Sequence, residues 1–194
     1  MGGILKNNFI SGSGVIGDAS ITESKLSGTY LSLLSTTTLA ATATTVTISG
    51  LTGDTNKELI LHLTIKSNVN PALFSMTINN DGAAQYGYIR TTNDGTNITA
   101  ANGYLTYFWL GTSSAANEFI EVWIHLNALQ GSSRMGFMDT INGTAAGGYI
   151  ISRHEAIIYC TPTNTQITRM DFIANAADGF GIGTKIDIYG RSKA

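Results

Sequence analysis

The chain has 194 residues, 43% of them hydrophobic and only 12% charged, with a formal net charge of −2. Average soluble domains carry about 25% charged residues; here the polar surface is hydroxyl and amide, with 16 Ser and 26 Thr. That balance excludes a disordered polyelectrolyte, a coiled coil and a helical bundle, which need Glu, Lys and Arg on their wet faces. The slight acidity argues against phosphate neutralisation, so no nucleic-acid partner is expected.

At this length one domain is the default. The single cysteine, Cys160, excludes an internal disulfide and a Cys-based zinc site. No apolar run approaches the roughly 18 residues that would cross a bilayer as a helix, so no membrane partner is expected. Met1-Gly2-Gly3-Ile4-Leu5-Lys6 lacks the apolar core of a signal peptide, which points to a product that stays in the cytoplasm where it is made.

From Met1 to Ser35 the apolar residues are scattered among glycines and serines with no strand or helix period. The local signal there is Ser20-Ile21-Thr22-Glu23, a capping box that predicts a short helical turn over Ile21 to Ser27. Residues 1–35 therefore read either as a loose leader or as an extended arm that orders against a neighbouring subunit. Burial of Phe9, Ile10 and Ile16 would contribute about 1.5–3 kcal/mol each.

Residues 36–194 read as β structure. Leu39, Val46 and Ile48 sit in a Thr/Ala-rich run ending at Ser49-Gly50. Over Glu58 to Ser67, Leu59, Leu61, Leu63 and Ile65 fall on one face, with Ile60, His62, Thr64 and Lys66 on the other, a period of two. Phe74–Ile78 alternates too and runs into Asn79-Asn80-Asp81-Gly82, which predicts a hairpin because Asn, Asp and Gly tolerate positive φ. Further strands are expected at Tyr86–Thr91, Tyr104–Leu110, Phe119–Asn127, Ser133–Met138, Tyr149–Tyr159, Gln166–Ala174 and Thr184–Tyr189. About ten short strands separated by turn residues predict an all-β protein, a jelly-roll-like antiparallel β-sandwich with an extended N-terminal arm. Its last strand places Ile186 and Ile188 inward.

Catalytic patterns are sparse. His62 has no His or carboxylate at metal-ligand spacing, and His154 and Glu155 point to opposite faces of a strand. Glu121, Trp123 and His125 form a stripe that suits either a sugar site or the wet face of an antiparallel strand, the latter being the commoner case. Asp54, Asp81, Asp94 and Asp178 sit in turn contexts, where Asp is expected for backbone reasons. Asp171 and Asp187 lie within predicted strands and are the two acids to inspect for a glycosidase-type pair. No G-x-S-x-G elbow appears, and Gly181-Ile182-Gly183-Thr184 has no helix behind it to make a phosphate cradle. Asn79-Asn80-Asp81 could chelate calcium, though a type I′ hairpin explains it equally well. Cys160 ends an apolar run and reads as a small buried hydrophobe. No catalytic residue, metal or cofactor is expected, and the chain is not read as an enzyme.

Two segments carry a resemblance. Residues 16–27, Ile16-Gly17-Asp18-Ala19-Ser20-Ile21-Thr22-Glu23-Ser24-Lys25-Leu26-Ser27, resemble short linker repeats near the N-termini of tail-fibre and other virion proteins of tailed bacteriophages. Residues 177–190, from Ala177 through Phe180, Ile186 and Ile188 to Tyr189-Gly190, look like the closing strand of a group of phage structural proteins, where a glycine-rich turn leads into a strand and an aromatic-glycine pair. The resemblance implies a β-rich virion subunit, made in the host cytoplasm and commonly homotrimeric.

Low charge and many hydroxyls suit a protein displayed in many copies on a particle. The leading expectation is a capsid decoration, or cement, protein bound to the major capsid protein on the outer head shell. Its arm contacts would be Ile4, Leu5, Phe9, Ile10, Val15 and Ile16. The alternative is a tail-fibre or tail-tip component whose Tyr104, Tyr107 and Trp109, or Trp123, meet host surface glycan. A free carbohydrate-binding module or β-sandwich hydrolase is a third class.

Overall fold

In β3 (Glu58–Lys66), Leu59, Leu61, Leu63 and Ile65 are all fully buried, while His62, Thr64 and Lys66 between them are only partly covered. Period-two burial of this kind turns one strand face toward an apolar layer, and it recurs in β8 (Phe119–Asn127), where Ile120, Val122, Ile124 and Leu126 point inward. The computed structural model describes residues 30–69, 72–81, 86–93, 98–113, 115–129, 134–142, 152–160 and 166–192, with backbone alone at 30, 54, 92–93, 152–160 and 192. Of these, Leu31–Ser192 belong to a single compact unit. The six arm residues, the capping box at Ser20 and the 16–27 segment lie outside the described residues.

The other strands are β1 (Tyr30–Thr38), β2 (Thr45–Ser49), β4 (Ala72–Ile78), β5 (Tyr86–Asn93), β6 (Ile98–Leu105), β7 (Phe108–Ser113), β9 (Arg134–Asn142), β10 (Ser152–Cys160), β11 (Arg169–Ala174) and β12 (Lys185–Ser192). A single helical turn, α1 (Gly53–Asn56), joins β2 to β3. One sheet has eight strands in the order β1-β12-β3-β8-β9-β10-β5-β6, the other four in the order β2-β11-β4-β7. The assigned strand pairs are antiparallel.

The quartets β1-β12-β3-β8 and β2-β11-β4-β7 are the two halves of a jelly roll. Successive strands β1/β2, β3/β4, β7/β8 and β11/β12 sit in opposite sheets, as the fold's double Greek key requires. Two hairpins, β5–β6 and β9–β10, are inserted into that frame and extend one sheet beyond the other. The fold is therefore all-β and a jelly-roll-like antiparallel sandwich. Its core lies between the quartets, where Phe74, Met76 and Ile78 of β4 and Phe172 of β11 meet the leucine face of β3 and Ile186 and Ile188 of β12, all fully buried.

Three local expectations differ from the structure. Asn79 and Asn80 do take positive φ, both 55°, but the strands they join lie in different sheets, so the turn is a crossover and no hairpin forms. Tyr104–Leu110 is two strands in different sheets, broken at Thr106-Tyr107, which contains none of the usual turn residues. β1 begins at Tyr30, so its first six residues lie within the segment read from sequence as arm.

The glycine-rich segment before β12 is part of the body. Phe180 is fully buried, packs on Phe74 at 5.0 Å between ring centroids, and bridges to Ala43 and Ser67. The amides of Gly181 and Gly183 donate to the carbonyls of Lys66 and Leu39 at 2.7 and 2.9 Å. With those donors committed to backbone, the string serves as a plug at one end of the sandwich.

Candidate functional site

Two features could meet a partner: the outer face of the eight-stranded sheet, and a pocket where its inserted hairpin faces the edge of the smaller sheet.

On the outer face, cross-strand register sets the arrangement. His62 of β3 lies opposite Trp123 of β8, and His125 opposite Phe137 of β9. Directly opposed side chains approach closely enough to pair, and both pairs are stacked, at 4.0 Å and 15° for His62–Trp123 and 4.4 Å and 13° for His125–Phe137. Glu121 Oε1 lies 3.0 Å from His62 Nε2 and accepts a 3.3 Å bond from Trp123 Nε1–H. Glu58 lies 3.4 Å from His125 Nδ1 and pairs with Arg191 at 3.0 Å. Around these pairs Phe119, Met135 and Ile141 are exposed, as is Phe137 itself, and the register continues from Phe137 through Ile157 to the exposed Ile89. The expected Glu121/Trp123/His125 stripe is thus on the outer face, but its ring faces are already engaged by neighbours and the surface is a flat sheet.

The pocket is concave. Because β5–β6 overhangs the four-stranded sheet, the inner face of β5 looks toward the edge strand β7, and the chain switches sheets at Thr106-Tyr107 between them. Its walls are Tyr88 and Arg90 of β5, Tyr107 of the corner and Trp109 of β7, enclosing about 100 Å³. Tyr86 and Phe108 form the floor, edge to face at 4.4 Å, with Tyr86 fixed by a 3.0 Å bond from the Ile78 amide to its hydroxyl. The Arg90 Cζ stands 4.5 Å from the Trp109 ring centroid and 5.9 Å from that of Tyr88, contacts worth about 0.5–2 kcal/mol depending on desolvation. Its Nε is buried and has no hydrogen-bond partner.

Of the four aromatic residues singled out from sequence, Tyr107 and Trp109 share this pocket. Tyr104 is on the outer face of β6, by its register with Gly87, and Trp123 belongs to the stacked pair on β8. Sequence reasoning did not single out Tyr88 and Arg90. The available signal was an arginine two residues beyond Tyr88 and four beyond Tyr86, on the strand face that buries Tyr86.

The two acids worth inspecting do not meet. Asp171 is on β11 and Asp187 on β12, each on the outward side of its own sheet, so more than the roughly 10 Å between stacked sheets separates them. Asp171 accepts from Thr47 at 2.6 Å and Arg169 at 2.6 and 2.9 Å. Asp187 accepts from Thr36 at 2.6 Å and Lys185 at 2.7 Å. Burial pushes the Asp187 carboxyl up, but the bonds from Lys185 and Thr36 and the charge of Lys185 outweigh it and hold the group below its ordinary value.

Asn79 is likewise committed. Its Oδ1 accepts from the Thr168 and Arg169 amides at 2.9 and 3.2 Å, and its Nδ2 donates to the Gln166 carbonyl at 2.8 Å, which ties the crossover turn to the start of β11. Among the described residues no cluster of three His, Cys, Asp or Glu is placed to hold a metal, and no helix is long and apolar enough to cross a membrane. The side chains of His154, Glu155 and Cys160, on β10, lie outside the description.

Compared with models of known families, with curated proteins and with solved structures, the chain matches none.

Proposed function

We propose that this chain is a structural subunit of a tailed-bacteriophage particle, a decoration protein that binds the outer head shell as a homotrimer and stabilises it. The observation that carries the reading is the outer face of the eight-stranded sheet. Exposed Phe119, Met135 and Ile141 flank two stacked pairs, His62–Trp123 and His125–Phe137, with Glu121 and Asp139 on the same face, and exposed apolar and aromatic surface of this kind marks association. The occupant proposed is a second copy of the chain. Salt-bridged Glu58–Arg191 and Lys185–Asp187 at one side of the face supply the charged rim that protein interfaces place around an apolar centre.

The arm contacts Ile4, Leu5, Phe9, Ile10, Val15 and Ile16 act on a neighbouring subunit or the major capsid protein. The 29 residues ahead of Tyr30 could reach roughly 95 Å if extended. The mechanism is mechanical, apolar burial that opposes internal pressure, and it calls for no catalytic residue, cofactor or metal.

Copies per purified particle, counted by quantitative mass spectrometry against the major capsid protein, test the assignment. Numbers comparable to the capsid protein support decoration, and absence from the particle overturns it. A few copies per particle would replace it with the tail-tip reading, which the concave aromatic pocket favours.

A further inference from the structure

We infer that the pocket formed by Tyr88, Arg90, Tyr107 and Trp109 is a binding site for a carboxylate-bearing sugar. The site is independent of where on a particle the subunit sits, so its failure would leave the assembly reading intact.

The guanidinium is the first reason. Arginine stays charged at any accessible pH and carries five N–H donors and no acceptor. In this pocket its Nε is buried without a partner, no carboxylate among the described residues pairs with it, and its contacts are with the Trp109 and Tyr88 rings. Only the Nε is buried without a partner; the two Nη groups are not among the buried unpartnered atoms, so the outer end of the guanidinium, held by the two rings, is the part that can meet an acceptor. A planar carboxylate matches the guanidinium fork with two parallel bonds.

The surrounding rings are the second reason. Arg90 lies over the Tyr88 and Trp109 rings, which leaves the Tyr107 ring and the edges of the other two as apolar surface with polar edges, suited to the apolar face of a pyranose and its outward hydroxyls. The rigid floor of Tyr86 and Phe108 keeps the walls apart, and Gly103 lets the Tyr88 ring lie close to β6, since a Cβ there would stand 3.2 Å from the Tyr88 hydroxyl. A space of about 100 Å³ accepts the carboxylate and part of one ring.

Calorimetry and tryptophan emission on the full chain, titrated with glucuronate and a galacturonate disaccharide, test the site. Saturable binding is expected, with an emission change that disappears in Trp109→Phe. Glucose should bind about tenfold more weakly or not at all. Arg90→Gln, checked for an unchanged melt, should reduce uronate affinity about tenfold or more. Arg90→Lys, which keeps the charge and loses the fork, should fall between. No uronate binding, equal binding of glucose, or full affinity in Arg90→Gln would each overturn the proposal. Binding of sulfate or of sulfated sugar alone would overturn the carboxylate assignment.

Discussion

Asp187 shows how one side chain ties an edge to the body. It is 3% exposed, and Thr36 of β1 and Lys185 of its own strand satisfy it. Its carboxyl sits below the ordinary 3.8, so the ionised form is favoured by folding. The stability it contributes is present above 3.8 and is lost as pH falls through the lower folded value. Asp187→Asn should cost about 1.5–3 kcal/mol at neutral pH. Thermal melts across pH should show a shallower acid slope in that variant below 3.8 than in the wild type. Parallel slopes would contradict the role. Phe180 makes the complementary apolar case: fully buried against Phe74, its replacement by Ala should lower stability by about 3–5 kcal/mol in urea unfolding.

At the scale of elements, β7 carries the feature that shapes the pocket wall. Its register with β4 jumps between Phe74, opposite Gly111, and Ser75, opposite Trp109, which leaves Leu110 as the extra residue of a β-bulge. Gly111 has φ 155°, and a Cβ there would meet Asn142 Oδ1 at 3.0 Å and the Ile120 side chain at 3.1 Å. Gly111→Ala should destabilise the fold by about 1–3 kcal/mol and disturb the Trp109 environment, read as a shifted emission maximum.

Strands with one dry face were legible, because Leu59 through Ile65 and Ile120 through Leu126 alternate under the demand of burial. The β6–β7 corner was not, since Leu105-Thr106-Tyr107-Phe108 carries no turn chemistry and the sheet switch is imposed by packing. The crossover at Asn79 was half legible. Its backbone conformation follows from Asn, whereas its destination depends on Gln166 and Thr168, 87 and 89 residues away. The pocket was legible only in Tyr107 and Trp109, because the residues that complete it arrive from β5 through a long-range strand pairing.

For the molecule as a whole, the two hairpin insertions matter most. A bare jelly roll would end its larger sheet at β8; here four more strands widen it, and the widened sheet exposes the apolar outer face on one side and frames the pocket on the other. Deleting Met1–Ile16, which precedes the described body, should leave a chain with an unchanged β-type circular dichroism spectrum that no longer binds heads stripped of the protein. Retained binding would remove the arm from the account.

The central claim is that the outer face joins copies of this chain, and sedimentation velocity measures it directly. The wild-type chain should sediment as a trimer. Phe137→Ser combined with Met135→Ser, both at exposed positions, should shift it to monomer without lowering its melting temperature by more than a few degrees. A wild-type chain that remains monomeric at every concentration, or a double variant that remains trimeric, would contradict the account.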